Sequence, residues 1–144
     1  MIKYEFWSKS EEQDSDINSI NYLLGLLNTD LAMITLSDLE NITKNSKLLV
    51  ARTESDGLIV GMATLAVLTI PTGKIGRIED VVVHDKYRKQ GIGKTMVSKL
   101  LVEARSLGLK RIDLTSRPHR IAANMMYQKL GFSLVETNTY RLKL

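Results

Sequence analysis

The residues best suited to chemistry lie between Ile78 and Met96, where the chain reads I-E-D-V-V-V-H-D-K-Y-R-K-Q-G-I-G-K-T-M. An apolar run, Val81 to Val83, enters a basic loop, Lys86 to Gln90, which delivers Gly91 and Gly93 to the start of an amphipathic helix. The first-turn N–H groups of a helix lack intrahelical acceptors and sit at the positive end of its dipole, so this order of residues predicts an anion site built largely from backbone. The glycines allow a phosphate to approach closely. Arg77, Lys86, Arg88, Lys89 and Lys94 cluster here, with Glu79, Asp80 and Asp85 among them, so that part of the chain's net charge of +4 gathers where a phosphorylated ligand would use it.

Spacing separates three readings of this stretch. A Walker A loop requires Gly five positions before Gly93-Lys94-Thr95, and that position is Arg88. A dinucleotide fingerprint wants its first Gly directly after the strand and a small residue three past the second; six residues intervene after His84, and the third position is Met96. The pattern R-x-x-G-x-G, from Arg88, Gly91 and Gly93, fits without exception.

With that pattern, V-V-V-H-D-K-Y-R-K-Q-G-I-G-K resembles the acyl-CoA pyrophosphate loop of the GNAT superfamily of N-acyltransferases, [QR]-x-x-G-x-[GA]. Downstream, Ala123 to Phe132 (A-N-M-M-Y-Q-K-L-G-F) resembles that family's N-x-x-Y-x-K-x-G-F segment. The resemblance covers about Leu48 to Leu144. It implies an acetyl-CoA-dependent N-acetyltransferase that moves an acetyl group directly from the thioester to a primary amine of a small molecule or protein, without a metal. A non-catalytic acyl-CoA-binding regulatory module is the alternative.

The resemblance also assigns roles. Gly91, Ile92, Gly93, Lys94 and Thr95 would bind the pyrophosphate through backbone N–H groups, with Arg88, Lys89 and Gln90 completing the loop. Val81, Val82 and Val83 form the strand segment along which the pantetheine arm would pair, and Asn124 would hydrogen-bond the cofactor. Tyr127 matches the tyrosine that protonates the leaving sulfur; a phenol near pKa 10 keeps its proton at neutral pH. Glu79 is the candidate base, two residues before Val81 and so expected on the same strand face, with Asp80 open as the alternative should a bulge redirect these side chains. His84 and His119 have no Ser or carboxylate partner at a diagnostic spacing, and G-x-S-x-G is absent, which disfavours a hydrolase.

Arg117-Pro118-His119-Arg120 is more basic than the same connection in small family members. It could meet a cofactor phosphate, an anionic acceptor or only solvent.

Composition bounds the rest. A chain of 144 residues, 44% hydrophobic and 25% charged, is expected to be one globular domain over residues 1–144. The absence of Cys excludes disulfides, thiolate nucleophiles and Cys-rich zinc sites, and two His make a metal centre a poor expectation. Aromatics at 6% without an interleaved basic stripe argue against nucleic acid as partner. No apolar leader precedes Ser10, and Leu58 to Ile70 is too short and interrupted to span a bilayer, so a cytoplasmic protein without membrane contact is expected.

The elements that must position these residues are legible as periodicities. Ile2 to Trp7 predicts a strand; Asp14 and Ser15 cap a helix from about Asp16 to Leu27, and Ser37-Asp38-Leu39-Glu40 is a capping box for a short helix ending near Ser46. By the resemblance, Asn28 to Thr35 between those helices borders the acceptor. Lys47 to Thr53 and Leu58 to Ile70 form a hairpin about Glu54-Ser55-Asp56-Gly57, and Pro71-Thr72-Gly73 turns the chain into Lys74 to His84. A helix follows with Ile92, Met96, Val97, Leu100, Leu101, Ala104 and Leu107 on one face and Gly108 beyond its end. Arg111 to Ser116 is a strand, parallel by the crossover rule. A last helix begins near Pro118 and stops at Gly131, and Phe132 to Glu136 with Thr139 to Leu144 form a terminal hairpin about Thr137-Asn138. The expected fold is therefore α/β: a mixed, mostly antiparallel sheet of about seven strands, about four helices, and two central parallel strands splayed at the cofactor site. The terminal hairpin offers an edge to a second subunit in a homodimer.

Overall fold

The computed structural model describes residues 1–144, which divide into two compact units, Met1–Leu114 and Thr115–Leu144. The first contains a five-stranded sheet in sequential order: β1 (Ile2–Phe6), β2 (Ser46–Thr53), β3 (Ile59–Ile70), β4 (Gly73–Val83) and β5 (Ile112–Asp113). Neighbours are antiparallel except β4 and β5, which are parallel and pair only at Gly76↔Ile112 and Arg77↔Asp113. Three α-helices complete the unit: α1 (Gln13–Leu27), α2 (Leu36–Asn45) and α3 (Ile92–Ser106).

Period-two alternation divides the sheet between the helices. Leu48, Val50, Met62 and Val82 join Ile20 and Leu23 of α1 and Leu39 of α2 in one buried cluster with Trp7 and Ile59. The opposite face carries Leu49, Ala51, Ala63, Leu65 and Ile78, all buried, and α3 covers it. A Cβ added at Gly61 would stand 3.1 Å from the Met96 side chain and 3.3 Å from Ile92, so this glycine is what lets α3 lie close on β3. The buried residues of α3, Ile92, Met96, Val97, Leu100 and Ala104, are members of the expected apolar stripe, and Gly108 follows the helix with φ +69°.

A buried ion pair ties α1 to the sheet. Asp16, 1% exposed, receives Arg52 Nη1 at 2.7 Å and Trp7 Nε1 at 3.0 Å, and Arg52 also reaches Glu5 at 3.0 Å. The Asp16 hydrogen bond, against desolvation and with help from Glu5, raises the Arg52 pKa further. Helix α1 thus begins at Gln13, a turn earlier than expected, because Asp16 serves inside it rather than starting it. The capping box of α2 is likewise shifted: Asp38 N–H donates to Thr35 Oγ1 at 3.3 Å and Thr35 N–H to Asp38 Oδ2 at 2.7 Å, where Ser37 and Glu40 were expected.

The second unit contains α4 (Ile121–Lys129) and no strand. The helix starts after a turn in which Arg120 N–H meets Arg117 O at 3.0 Å, later than the expected Pro118. The expected terminal hairpin is not formed. A two-residue hairpin turn favours positive φ at its centre, and neither Thr137 nor Asn138 adopts it. The sheet therefore has five strands rather than about seven, and the edge expected to receive a second subunit is not a strand.

Candidate active site

The strand that leads into the glycine loop is interrupted where the chemistry was expected. On β3 and β4, Thr64 pairs with Glu79 but Met62 pairs with Val82, so Asp80 and Val81 together face the single residue Ala63. This is a β-bulge, and Asp80 occupies it with φ +53°, one of two non-glycine residues in the left-handed region. The bulge changes which side chains share a face: Glu79 aligns with Val82 rather than with Val81, correcting the simple alternation.

The two carboxylates differ in environment. Glu79 Oε1 lies 3.0 Å from both Nε and Nη2 of Arg77. Asp80 has surface access, yet its carboxyl is crowded enough that desolvation, reinforced by the adjacent Glu79 charge, raises its pKa. A carboxylate with a raised pKa is a better proton acceptor, and such perturbations concentrate at functional sites.

Beyond Arg77 the outer edge of β4 has no strand partner within the first unit. His84 N–H donates across to Val60 O at 2.8 Å, so by alternation the backbone groups of Val83 point to the open edge. Val83 O accepts a hydrogen bond from Arg88 Nε at 3.1 Å, folding that exposed guanidinium back onto the strand end. Val82, by contrast, is buried in the core.

The loop then makes a short 3-10 turn, Asp85–Tyr87, an extended Arg88, a left-handed Lys89 (φ +63°), and Gly91 (φ +77°) as the residue before α3. Gly91 has no side-chain cap to offer, and the first turn of α3 contains no acidic residue. Thr95 N–H is bonded to Gly91 O at 3.0 Å; the N–H groups of Ile92, Gly93 and Lys94 precede the helical ladder. A Cβ at Gly91 would meet nothing within 4 Å, and one at Gly93 only Val83 Cγ2 at 3.7 Å. The chain itself thus leaves a cradle in front of these donors, with Lys89, Gln90 and Lys94 exposed around it. Its chemistry suits a pyrophosphate group.

The second unit holds the remaining candidates. Tyr127 is 7% exposed and packs edge-on to Phe132 with ring centroids 5.9 Å apart. Desolvation raises its pKa, partly offset by the charge of Arg120, so the phenol is held protonated through neutral pH. Asn124 Nδ2 donates to Arg117 O at 3.1 Å and to Pro118 O at 3.4 Å, fixing the turn before α4. Sequence reasoning assigned that side chain to the cofactor and did not foresee this local use. Arg117, Pro118, His119 and Arg120 are all exposed.

A cleft of about 510 Å³ in the first unit was also not foreseen. Ser15, Asn18, Ser19 and Tyr22 of α1 line one side, Leu58, Ile59 and His84 the other. The loop between α1 and α2 is anchored by Asn21, which accepts from Ile34 N–H at 2.8 Å and donates to Ile34 O at 3.0 Å.

Residues 11–132 match the model of the acetyltransferase (GNAT) family. A glucosamine 6-phosphate N-acetyltransferase of Trypanosoma brucei brucei is 32% identical over 127 residues, covering 83% of this chain and 84% of that protein. Human N-acetyltransferase 8 is 32% identical over 106 residues, 72% of this chain but 45% of that protein, so the chain spans under half of it. Among solved structures, a Trypanosoma brucei acetyltransferase matches with a TM-score of 0.81 and 29% identity over 100% of both chains.

Proposed function

From the premise that this chain belongs to the acetyltransferase (GNAT) family, we propose that it transfers the acetyl group of acetyl-CoA directly to a primary amine, in the cytoplasm, with residues 1–144 acting as one catalytic domain. The observation that carries the reading is the cradle before α3: left-handed Gly91, side-chain-free Gly93 and three first-turn N–H groups with no acid beside them. The loop from Arg88 to Thr95 holds the pyrophosphate, and the open edge of β4 at Val83 takes the pantetheine amides as a further strand would. Acetyl-CoA supplies an activated acyl group.

The chain's own residues supply the proton movements. An amine attacks only after losing its proton, which the Glu79–Asp80 pair accepts directly or through water. Asp80 is favoured within the pair because desolvation and the Glu79 charge raise its pKa, whereas Glu79 is engaged by Arg77. As the new C–N bond forms and the C–S bond breaks, Tyr127 donates its proton to the sulfur. Its raised pKa guarantees that the proton is there to give. Asn124 braces the turn before the helix that carries Tyr127.

For the acceptor, the relative named for glucosamine 6-phosphate makes phosphorylated amino sugars the first class to test. The exposed Arg117 and Arg120 supply cations for such a phosphate. The test compares kcat/KM for glucosamine 6-phosphate, glucosamine, a polyamine and a peptide α-amine, following thiol release. A preference of at least about tenfold for the phosphorylated sugar over glucosamine, the effect of one charge-assisted contact, supports this acceptor; equal values would remove it and leave acetyl transfer to another amine.

A further inference from the structure

The proposed mechanism makes no use of a cluster in which α1 meets the chain just after β4. The Tyr22 hydroxyl donates to Asp85 Oδ1 at 3.1 Å, across 63 residues of sequence. Its ring stacks on His84, with centroids 4.7 Å apart and planes 25° from parallel. His84 has further partners: Tyr87 meets its ring edge-on at 5.5 Å, and its Nδ1 stands 3.2 Å from Lys86 N and 2.9 Å from Asp85 Oδ1, so that it accepts from the first when unprotonated and donates to the second when protonated. The cluster therefore fixes the 3-10 turn that opens the glycine loop.

We propose that Tyr22 is a positioning residue for cofactor binding, acting through His84 and Asp85 to hold the loop from Arg88 to Gly93 in the shape that presents the α3 N-terminus to a pyrophosphate. The inference rests on the cofactor reading above. Two observations carry it. Lys89, which carries a side chain, stands in the left-handed region at φ +63°, and a backbone conformation of that kind at a non-glycine residue persists only where its surroundings impose it. Tyr22 is also the strut on the helix side. It is 47% exposed, outside the apolar cluster that holds α1 to the sheet, and it lines the cleft together with Leu58, Ile59 and His84. Consistent with the contact, the Asp85 hydrogen bond, with smaller contributions from desolvation and the Asp85 charge, raises the Tyr22 pKa.

The test uses two acetyl donors that differ in the group the loop would hold. With acetyl-CoA, Tyr22→Leu is expected to raise KM at least about fivefold, the lower end of one hydrogen bond and one ring stack lost together, with kcat within about twofold. Tyr22→Phe, which keeps the stack, falls between this variant and wild type. With S-acetylpantetheine, which has no pyrophosphate, kcat/KM is expected to be the same in all three proteins. Equal losses with both donors, or an unchanged KM for acetyl-CoA, would overturn the inference. Wild-type enzyme that does not bind acetyl-CoA would remove the cofactor reading and this inference together, whereas normal wild-type binding beside an unaltered Tyr22→Leu removes only the latter.

Discussion

Arg77 holds Glu79 through two nitrogens, each 3.0 Å from the same carboxylate oxygen, while the neighbouring Asp80 sits in the bulge with its pKa raised by desolvation and by the Glu79 charge. Two adjacent carboxylates thereby have different surroundings, one in contact with a guanidinium and the other partly desolvated. If Asp80 accepts the amine proton, activity requires its ionised form, and the acid limb of kcat/KM lies above the ordinary aspartate range. Asp80→Asn is expected to lower kcat by about a hundredfold and abolish that limb; Glu79→Gln is expected to shift the limb downward by removing a neighbouring negative charge. A pH–rate series on the three proteins checks both.

The two loop glycines are required for different reasons, and alanine separates them. Gly91 has φ +77° in open space, so Gly91→Ala strains the backbone by about 1 kcal/mol and lowers Tm. Gly93 has ordinary φ, and its added Cβ would make an ordinary contact at 3.7 Å with Val83. Gly93→Ala is therefore expected to keep stability within about 0.5 kcal/mol while weakening acetyl-CoA at least about tenfold by intruding on the cradle. Thermal unfolding and calorimetric titration of the two variants test the distinction.

Tyr127→Phe removes the hydroxyl and keeps the edge-on contact with Phe132. A general acid contributes on the order of 10²–10⁴ in rate, so kcat is expected to fall at least about tenfold with little change in the acetyl-CoA KM. A kcat within threefold of wild type, checked under saturating substrates, would return Tyr127 to a packing role.

Stability is predicted to depend on a residue far from the chemistry. Asp16→Ala leaves the Arg52 guanidinium without its main partner and Trp7 Nε1 without an acceptor. Removing one member of a buried ion pair costs about 3–5 kcal/mol, a loss that denaturant unfolding would register directly.

The sequence made the glycine loop and α3 legible because their signals are local: apolar residues recur at helical spacing and Gly108 ends the run. The meander of β2, β3 and β4 was legible for the same reason, through alternation and the turn at Asp56-Gly57. What escaped depends on partners distant in the chain. The bulge at Asp80 exists only in the register of β3 against β4, so no window of β4 alone reveals that Glu79 aligns with Val82. The contact of Tyr22 with Asp85 and that of Asp16 with Arg52 join residues 63 and 36 positions apart. At α2, Thr35-x-x-Asp38 competed with Ser37-x-x-Glu40, and the match to Ser-x-x-Glu hid the pair that actually caps the helix. Alternating apolar residues near the C-terminus suggested strands, but Leu134, Tyr140, Leu142 and Leu144 are exposed and unladdered.

The most direct test of acetyl transfer follows carbonyl-labelled acetyl-CoA by ¹³C NMR in the presence of wild-type protein and glucosamine 6-phosphate, with the other amines as parallel acceptors. The account predicts that the thioester signal declines as an acetamide signal grows, in step with released thiol and only when an amine is present. A label that stays on the thioester with every amine, despite acetyl-CoA binding, would contradict it and leave an acyl-CoA-binding module; a label appearing as free acetate would make the protein a thioesterase instead.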